Sequence, residues 1–456
     1  ATVAPSPRPT TPMPTNGAQR LSWSDLKQAL VDVPALALSF GYFFCLLCGY
    51  FMLRSIRDAF GASGDAAAVF PPAMIAFFAE RGVALGALTL QVLFTGTFIA
   101  MLVLQPLYGA LVSRHPRRAF LPFVYALLVA CLGVFYVLFQ NEVAGRGAVF
   151  FIFLAVVNLF AVTVFWSFMS DVFSSAQSRL FYGFIGVGGT LGALAGPLFT
   201  KLLVERVGVA NIMLISTALL SLCLVFVLAL APWARRREAA RGGVRYDEAM
   251  GGRFLEGLRI VARDPLMRSM ALLMFFGVAL GTLLYSEQAA VARQIVDDDA
   301  RTAFFARIDL WVNGVTLVVQ LLITPVLLAR FGVAPLLLIP GIAISLGFAA
   351  LAANPLPMLL MAVQVATRAG EFSLAKPARE TIYTRVDAET RYKAKAFIDT
   401  AIYRGGDFTF VWVHKAIAGF GSALVFTVGT GIALAMLASA WSLVRAQRSL
   451  PGDGRS

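Results

Sequence analysis

Charge is scarce in this chain. Only 14% of its 456 residues are Asp, Glu, Lys or Arg, whereas a soluble domain carries about 25%. Histidine is scarcer still. His115 and His414 are the only two, too few for a His-based metal site, and both read as polar residues of a loop or helix end. The four cysteines, Cys45, Cys48, Cys131 and Cys223, all fall inside apolar segments. Cys45 and Cys48 have redox spacing but lack the strand-to-helix context of that motif, so they read as packing residues. There is no Gly-x4-Gly-Lys-Ser/Thr phosphate loop and no enzyme constellation. These absences exclude a soluble enzyme, and no cofactor or metal is expected.

What is abundant is apolar. Such residues make up 59% of the chain, and mean hydropathy is +0.78. Apolar runs near the bilayer-spanning length of about 20 residues recur throughout. Only helices and closed barrels satisfy their backbone in lipid, and these runs are too long for barrel strands. The expected fold class is therefore an all-α membrane protein, with the lipid bilayer as its partner. Twelve spans are expected, over 33–53, 86–112, 119–140, 147–172, 181–204, 209–231, 266–290, 305–329, 332–352, 355–376, 394–418 and 421–444. Stretch 65–80, with Pro71 and Pro72, reads as a short extra helix. Residues 1–32 are rich in Pro, Thr and Ser and read as a disordered tail, not a signal peptide. A six-helix bundle over 33–231, a linker over 232–265, a second bundle over 266–444 and a tail over 445–456 complete the division.

The net charge of +13 follows topology, not nucleic acid. With the N-terminal tail placed inside, 25 of the 38 Lys and Arg residues fall on the cytoplasmic side. The expected setting is a bacterial inner membrane with both termini cytoplasmic. Oligomeric state has no sequence signal.

The two groups of six spans read as copies. Phe43-Phe44-x4-Gly49 in span one matches Phe275-Phe276-x4-Gly281 in span seven. Arg114 and Arg330, in the loops after spans two and eight, sit 216 residues apart, and Arg179 and Arg391 sit 212 apart. Such repeats pack about a shared axis with a midplane site between them. The loop "GALVSRHPRR" resembles the signature of the major facilitator superfamily at Gly109, Arg114, Arg117 and Arg118, with Ser113 and Pro116 departing from it. The resemblance implies a twelve-helix, two-half fold with Arg114, Arg117 and Arg330 in gating loops. "GVGGTLGALAG" (186–196) lies inside span five, where small residues let helices approach.

Three charged clusters carry the chemistry. In "LRSIRDA", Arg54 and Arg57 are i, i+3 neighbours, with Asp58 beside them. They read as an anion contact facing a central cavity or as side chains snorkelling to headgroups. In "GEFSLAKPARETIYTRVD" (370–387), Lys376 and Arg379 flank Pro377, with Glu371 and Glu380 nearby. A proline break at membrane depth suits a cavity lining. In "RYKAKAFIDTAIYRGGDFTF" (391–410), Asp399, Arg404 and Asp407 fall within span eleven. They read as substrate groups or as a buried ion-pair network. Asp171, ending span four, and Asp309, early in span eight, read as coupling or pairing residues.

"LAKPARETIYTRVDAETRYKAKAFIDT" (374–400) is similar to a second-half signature of the ATP/ADP translocases of plastids and intracellular bacteria: Asp-Pro-Cys-Lys-Glu, a short loop, then Lys-Gly-Lys-Ala-x-Ile-Asp. "LRSIRDAF" resembles that family's Leu-Arg-Asp-Thr-Lys-Asp in span one. "FWSFMSDVFSSAQSRLFYGFIGVGG" (165–189) resembles its segment across spans four and five. The resemblance implies nucleotide exchange without hydrolysis, with Arg57 and Arg379 at the nucleotide-contacting lysines. It places the family's membrane glutamates at Asn158 and near Tyr285–Glu287. The expected function is a secondary transporter of a small anionic solute, most specifically a nucleotide. An ion-coupled facilitator using Asp171, Asp309, Asp399 or Asp407, and a non-transporting membrane receptor, stay open as alternatives.

Overall fold

The computed structural model describes residues 32–114, 117–240, 254–383, 386, 390, 394–395 and 397–447, without the side chains of 105–114, 117–120, 158–160, 163, 175–176, 178–180, 237–238, 240 and 254–256. Among these residues every regular element is helical. Eight segments are long and apolar enough to cross a membrane. One of them, Phe181–Arg236, holds two of the expected spans.

Helix α1 (Val33–Gly61) starts with Pro34 in its first turn, where a missing N–H costs nothing. Asp32, just before it, accepts hydrogen bonds from Gln177 Nε2 and Trp233 Nε1. That ties the entry of α1 to helix α7 (Ser175–Ala240) near both of its ends. With 29 residues, α1 is about 43 Å long at about 1.5 Å per residue. It therefore runs eight residues past the expected end at 53, and Arg54, Arg57 and Asp58 lie inside a packed helix. The snorkelling reading is overturned: Asp58 is buried, and the two arginine side chains are only 17% and 14% exposed. Two short helices follow, α2 (Ala66–Val69) and α3 (Pro72–Ala79), where the extra helix was expected.

Helices α4 (Thr89–Arg114), α5 (Arg117–Gln140) and α6 (Arg146–Val172) lead to α7. The N-terminus of α7 is a capping box. Ser174 Oγ accepts from Gln177 N, and Gln177 Oε1 accepts from Ser174 N, so two orphan donors are satisfied reciprocally. The bend within α7 falls at Gly208, whose φ of +80° suits a residue without Cβ. The amide freed there, Val209 N, donates to Asp299 Oδ1 at 2.9 Å. Gly188, Gly192 and Gly196 form one stripe of α7. An added Cβ on them would lie 2.7, 2.3 and 2.5 Å from the carbonyl oxygens of Phe40, Phe44 and Cys48. The glycine-rich stretch is thus a backbone contact with α1. Cys45 and Cys48 are buried free thiols, as packing requires.

The second part comprises α8 (Phe254–Arg263), α9 (Pro265–Ala292), α10 (Asp298–Val318), α11 (Thr324–Phe331), α12 (Val333–Ala353), α13 (Pro357–Gly370), α14 (Lys376–Tyr383), α15 (Tyr403–Ala418) and α16 (Ser422–Gln447). Asp264 caps α9 and Asp297 caps α10 through their side chains. The expected eighth span therefore begins at 298, not 305. Widened π turns lie between α10 and α11 (Val319–Ile323), between α13 and α14 (Glu371–Ala375), and before α15 (Ile398–Ile402). Proline explains the first two. Pro325 and Pro377 donate no N–H and would clash with the carbonyl four residues back, so an inserted residue relieves the turn. For Pro377 that carbonyl is Ser373 O, which accepts a 2.7 Å bond from Thr324 Oγ1 instead. No proline accounts for the third turn.

One buried apolar core runs from Ala35 to Ala234 and a second from Val261 to Val444. A third joins the two parts through Ala59, Ala62, Leu90, Ala289, Ala292, Phe305 and Val411. Large exposed side chains such as Phe123, Val134, Leu322 and Leu346 would be aggregation-prone in water, but they suit a lipid-facing surface.

Candidate functional site

The charges of α1 meet those of the second part at one buried cluster. Arg57 Nε and Nη2 donate to Asp58 Oδ1 at 2.9 and 2.5 Å. Tyr285 of α9 donates its hydroxyl to the same oxygen at 3.2 Å. Arg54 Nε lies 3.6 Å from Asp58 Oδ2 and 3.5 Å from Asp309 Oδ2. Arg368 Nη1 of α13 donates to Asp309 Oδ1 at 2.7 Å. Positive and negative groups thus alternate from Arg57 through Asp58, Arg54 and Asp309 to Arg368. Three guanidinium groups face two carboxylates. The Arg57 guanidinium also lies over the Phe151 ring and that of Arg54 over Phe51.

The other sequence-derived residues lie outside this line. Arg379 grips both oxygens of Glu371 at 2.5 and 3.1 Å, a bidentate pair. Arg404 pairs with Asp407 at 3.3 Å, and Thr282 donates to Asp407 Oδ1. Lys395 contacts both oxygens of Glu380 at 2.6 Å. Lys376 and Asp399 are exposed, whereas Arg379 is buried. Asp171 is half-buried in the last turn of α6, and Arg330 is exposed at the end of α11. The side chains of Arg114, Arg117, Arg118, Arg179 and Asn158 lie outside the described residues, as do His115, Arg385, Arg391 and Lys393. A cavity of about 230 Å³ on α12 and α13, lined by Ala343, Ile344, Ala362, Val363, Ala366 and Thr367, is apolar and touches none of these charges.

Several functional groups escaped the sequence reading. Arg368 stood out only as a charge within a span, because its partner lies 59 residues away. His414, read as a helix-end residue, is buried and bonds Glu287 Oε1 at 2.8 Å, while Ser422 donates to Glu287 Oε2. Arg301 is also buried. It donates to Ala59 O at 2.8 Å, to Ile295 O and to Asp298. It thereby caps the C-terminal end of α1 from the other part of the chain. Beside it, Gln91 donates to Val411 O, Lys415 to Ala87 O and Trp412 to Thr95 Oγ1. Asn313 donates to Ala193 O at mid-height. The described contacts between the two parts thus sit at mid-height or at the end where α1 finishes, and that end is closed.

A family model described as Major Facilitator Superfamily matches residues 59–292. The chain belongs to the Major Facilitator Superfamily. It is a membrane transporter of that superfamily, not an enzyme. Within the superfamily it is similar to "ADP,ATP carrier protein 1" of Chlamydia muridarum, at 24% identity over 430 residues, covering 80% of this chain and 78% of the relative. The Chlamydia trachomatis serovar D protein of the same name is 23% identical over the same shares. These relatives bear out the resemblance to the ATP/ADP translocases. Among solved structures, the nucleoside transporter NupG matches with a TM-score of 0.55 at 15% identity, over 92% of this chain and 99% of that one. The POT family transporter PepTSo matches with a TM-score of 0.61 at 14% identity, over 91% and 98%. Both share the superfamily fold.

Proposed function

We propose that this transporter exchanges a small anionic solute across a bacterial inner membrane, most specifically a nucleotide. The observation that carries the reading is the buried Arg57–Asp58–Arg54–Asp309–Arg368 line. Buried membrane charge is costly and is kept where it is used. Three arginines against two aspartates leave one cation for a guest. The likeness to the ADP,ATP carriers supports a nucleotide as that guest, with Arg57 and Arg379 at the translocases' lysine positions. Twelve spans form two six-helix halves, residues 33–231 and 266–444, joined by the 232–265 linker, with both termini in the cytoplasm. The halves rock about the solute. The closed end faces outward, and Arg114, Arg117 and Arg330 gate the cytoplasmic end.

The test is counterflow. Proteoliposomes loaded with ADP should take up labelled ATP, and empty ones should not. Arg57→Gln and Arg379→Gln should each weaken nucleotide binding by a lost charge-assisted contact, about 1.5–3 kcal/mol or roughly tenfold to a hundredfold. The lysine variants should keep part of it, since charge survives while fork geometry is lost. Uptake that follows an ion gradient and ignores internal ADP would favour an ion-coupled facilitator. Unchanged binding in both glutamine variants would make the two arginines structural.

A further inference from the structure

The link between α1 and α10 is under-bonded for a buried ion pair. Asp309 is 2% exposed, yet its Oδ2 has no hydrogen-bond partner. Arg54 Nε and Arg368 Nη2 are likewise buried and without one. All three atoms belong to side chains that meet at Asp309, with Arg54 Nε 3.5 Å from Asp309 Oδ2. A permanent buried ion pair needs close geometry and further hydrogen bonds to offset desolvation. The Arg379–Glu371 pair, bidentate at 2.5 and 3.1 Å with its carboxylate 40% exposed, has the closer geometry. Arg54 and Arg368 instead offer one open N–H each, from opposite parts of the chain, on either side of a carboxylate.

We propose that Asp309 is an internal counter-anion, standing in the empty carrier where an anionic oxygen of the solute takes over Arg54. This deepens the anion-exchange reading and rests on it for the solute. A phosphate group has the oxygens to accept from Arg54 Nε and Arg368 Nη2 together. Asp309 then stays on Arg368 Nη1, so no carboxylate is stranded. The ion pair from α1 to α10 is replaced by a link from α1 through the solute to α13. Without solute, Arg54–Asp309 holds α1 against α10 and keeps this end shut. With solute, this ion pair no longer ties α10 to α1, and the Arg301–Ala59 bond is, among the described residues, the remaining polar link between the two helices that must break for the halves to move. The empty carrier is thereby slow to reorient, which makes exchange obligatory. Arg368 becomes a solute contact, and Asp309 a positioning residue that sets the coupling.

Spin labels at Ala67 and Val296, both exposed at the closed end and on opposite parts of the chain, report the opening. In the full-length protein without ligand, a single short distance is expected. ATP, ADP or pyrophosphate should add a longer one. Asp309→Asn should show the longer distance with no ligand at all, and proteoliposomes of this variant should take up ATP when empty inside. Arg368→Gln should bind ATP roughly tenfold more weakly. Should the single variant fold poorly, Asp309→Asn with Arg368→Gln restores charge balance and still breaks the link. A ligand-free distance distribution identical to the parent in both Asp309 variants would overturn the proposal. An Asp309→Asn protein that opens while no phosphate compound acts on the parent would keep the latch and remove the anion reading instead.

Discussion

At the residue scale, Arg301 and Arg54 do opposite work with the same side chain. Arg301 is saturated by Ala59 O, Ile295 O and Asp298, so its charge is neutralised where it stands. Ala59 lies in the last turn of α1, where cations are favoured by the helix dipole. Arg54 is left with an open N–H, which marks it for a guest. The contrast predicts different phenotypes. Arg301→Ala should destabilise the closed end by removing the bonds to Ala59 O and Ile295 O, lowering the melting temperature in detergent and increasing labelling of a cysteine at Ala62. A variant with parent-like melting and labelling would show that Arg301 does not hold the gate. The role of Arg301 at the end of α1 carried no sequence signal, because Ala59 O is a backbone carbonyl 242 residues away.

At the element scale, the joint between α1 and α7 is made by glycine. Without hydrophobic driving force between helices in lipid, close packing and backbone approach hold them together. Gly192 sits over Phe44 O and Cys48 N, so a side chain there must push backbone, which cannot yield as a flexible side chain does. Gly192→Leu should therefore abolish folded protein in detergent, seen as loss of the monodisperse chromatographic peak. The same change at Gly183, where nothing lies within 4 Å of an added Cβ, should be tolerated. Equal behaviour of the two would mean that the stripe is not the joint. This element was legible, since small residues four apart inside an apolar run have few other uses. The π turns were legible only as proline breaks. That Thr324 would supply the bond missing at Ser373 O depends on α11 meeting the turn before α14.

For the whole molecule, charge distribution and closure make one statement. Arg235 and Arg236, near the C-terminal end of α7, lie at the opposite end of the helices from the closed end, and the proposed orientation puts those arginines inside and the closed end outward. A cysteine at Val296 should be labelled by a membrane-impermeant reagent in intact cells. A cysteine at Arg235 should react only after permeabilisation. The reverse pattern would invert the carrier and make the closed end cytoplasmic.

The sequence alone determined the solvent, the helical class and the likeness to the ATP/ADP translocases. Those follow from apolar length, backbone hydrogen bonding in lipid and local motifs. It also singled out Arg54, Arg57, Asp309 and Arg379, because a charge inside an apolar run is visible without a partner. Only the tertiary structure decided who pairs with whom. Arg54 reaches Asp309, Arg368 joins them, and Glu287 holds His414. Such pairings depend on where separate helices cross and how each is rotated, and no local pattern of residues records that.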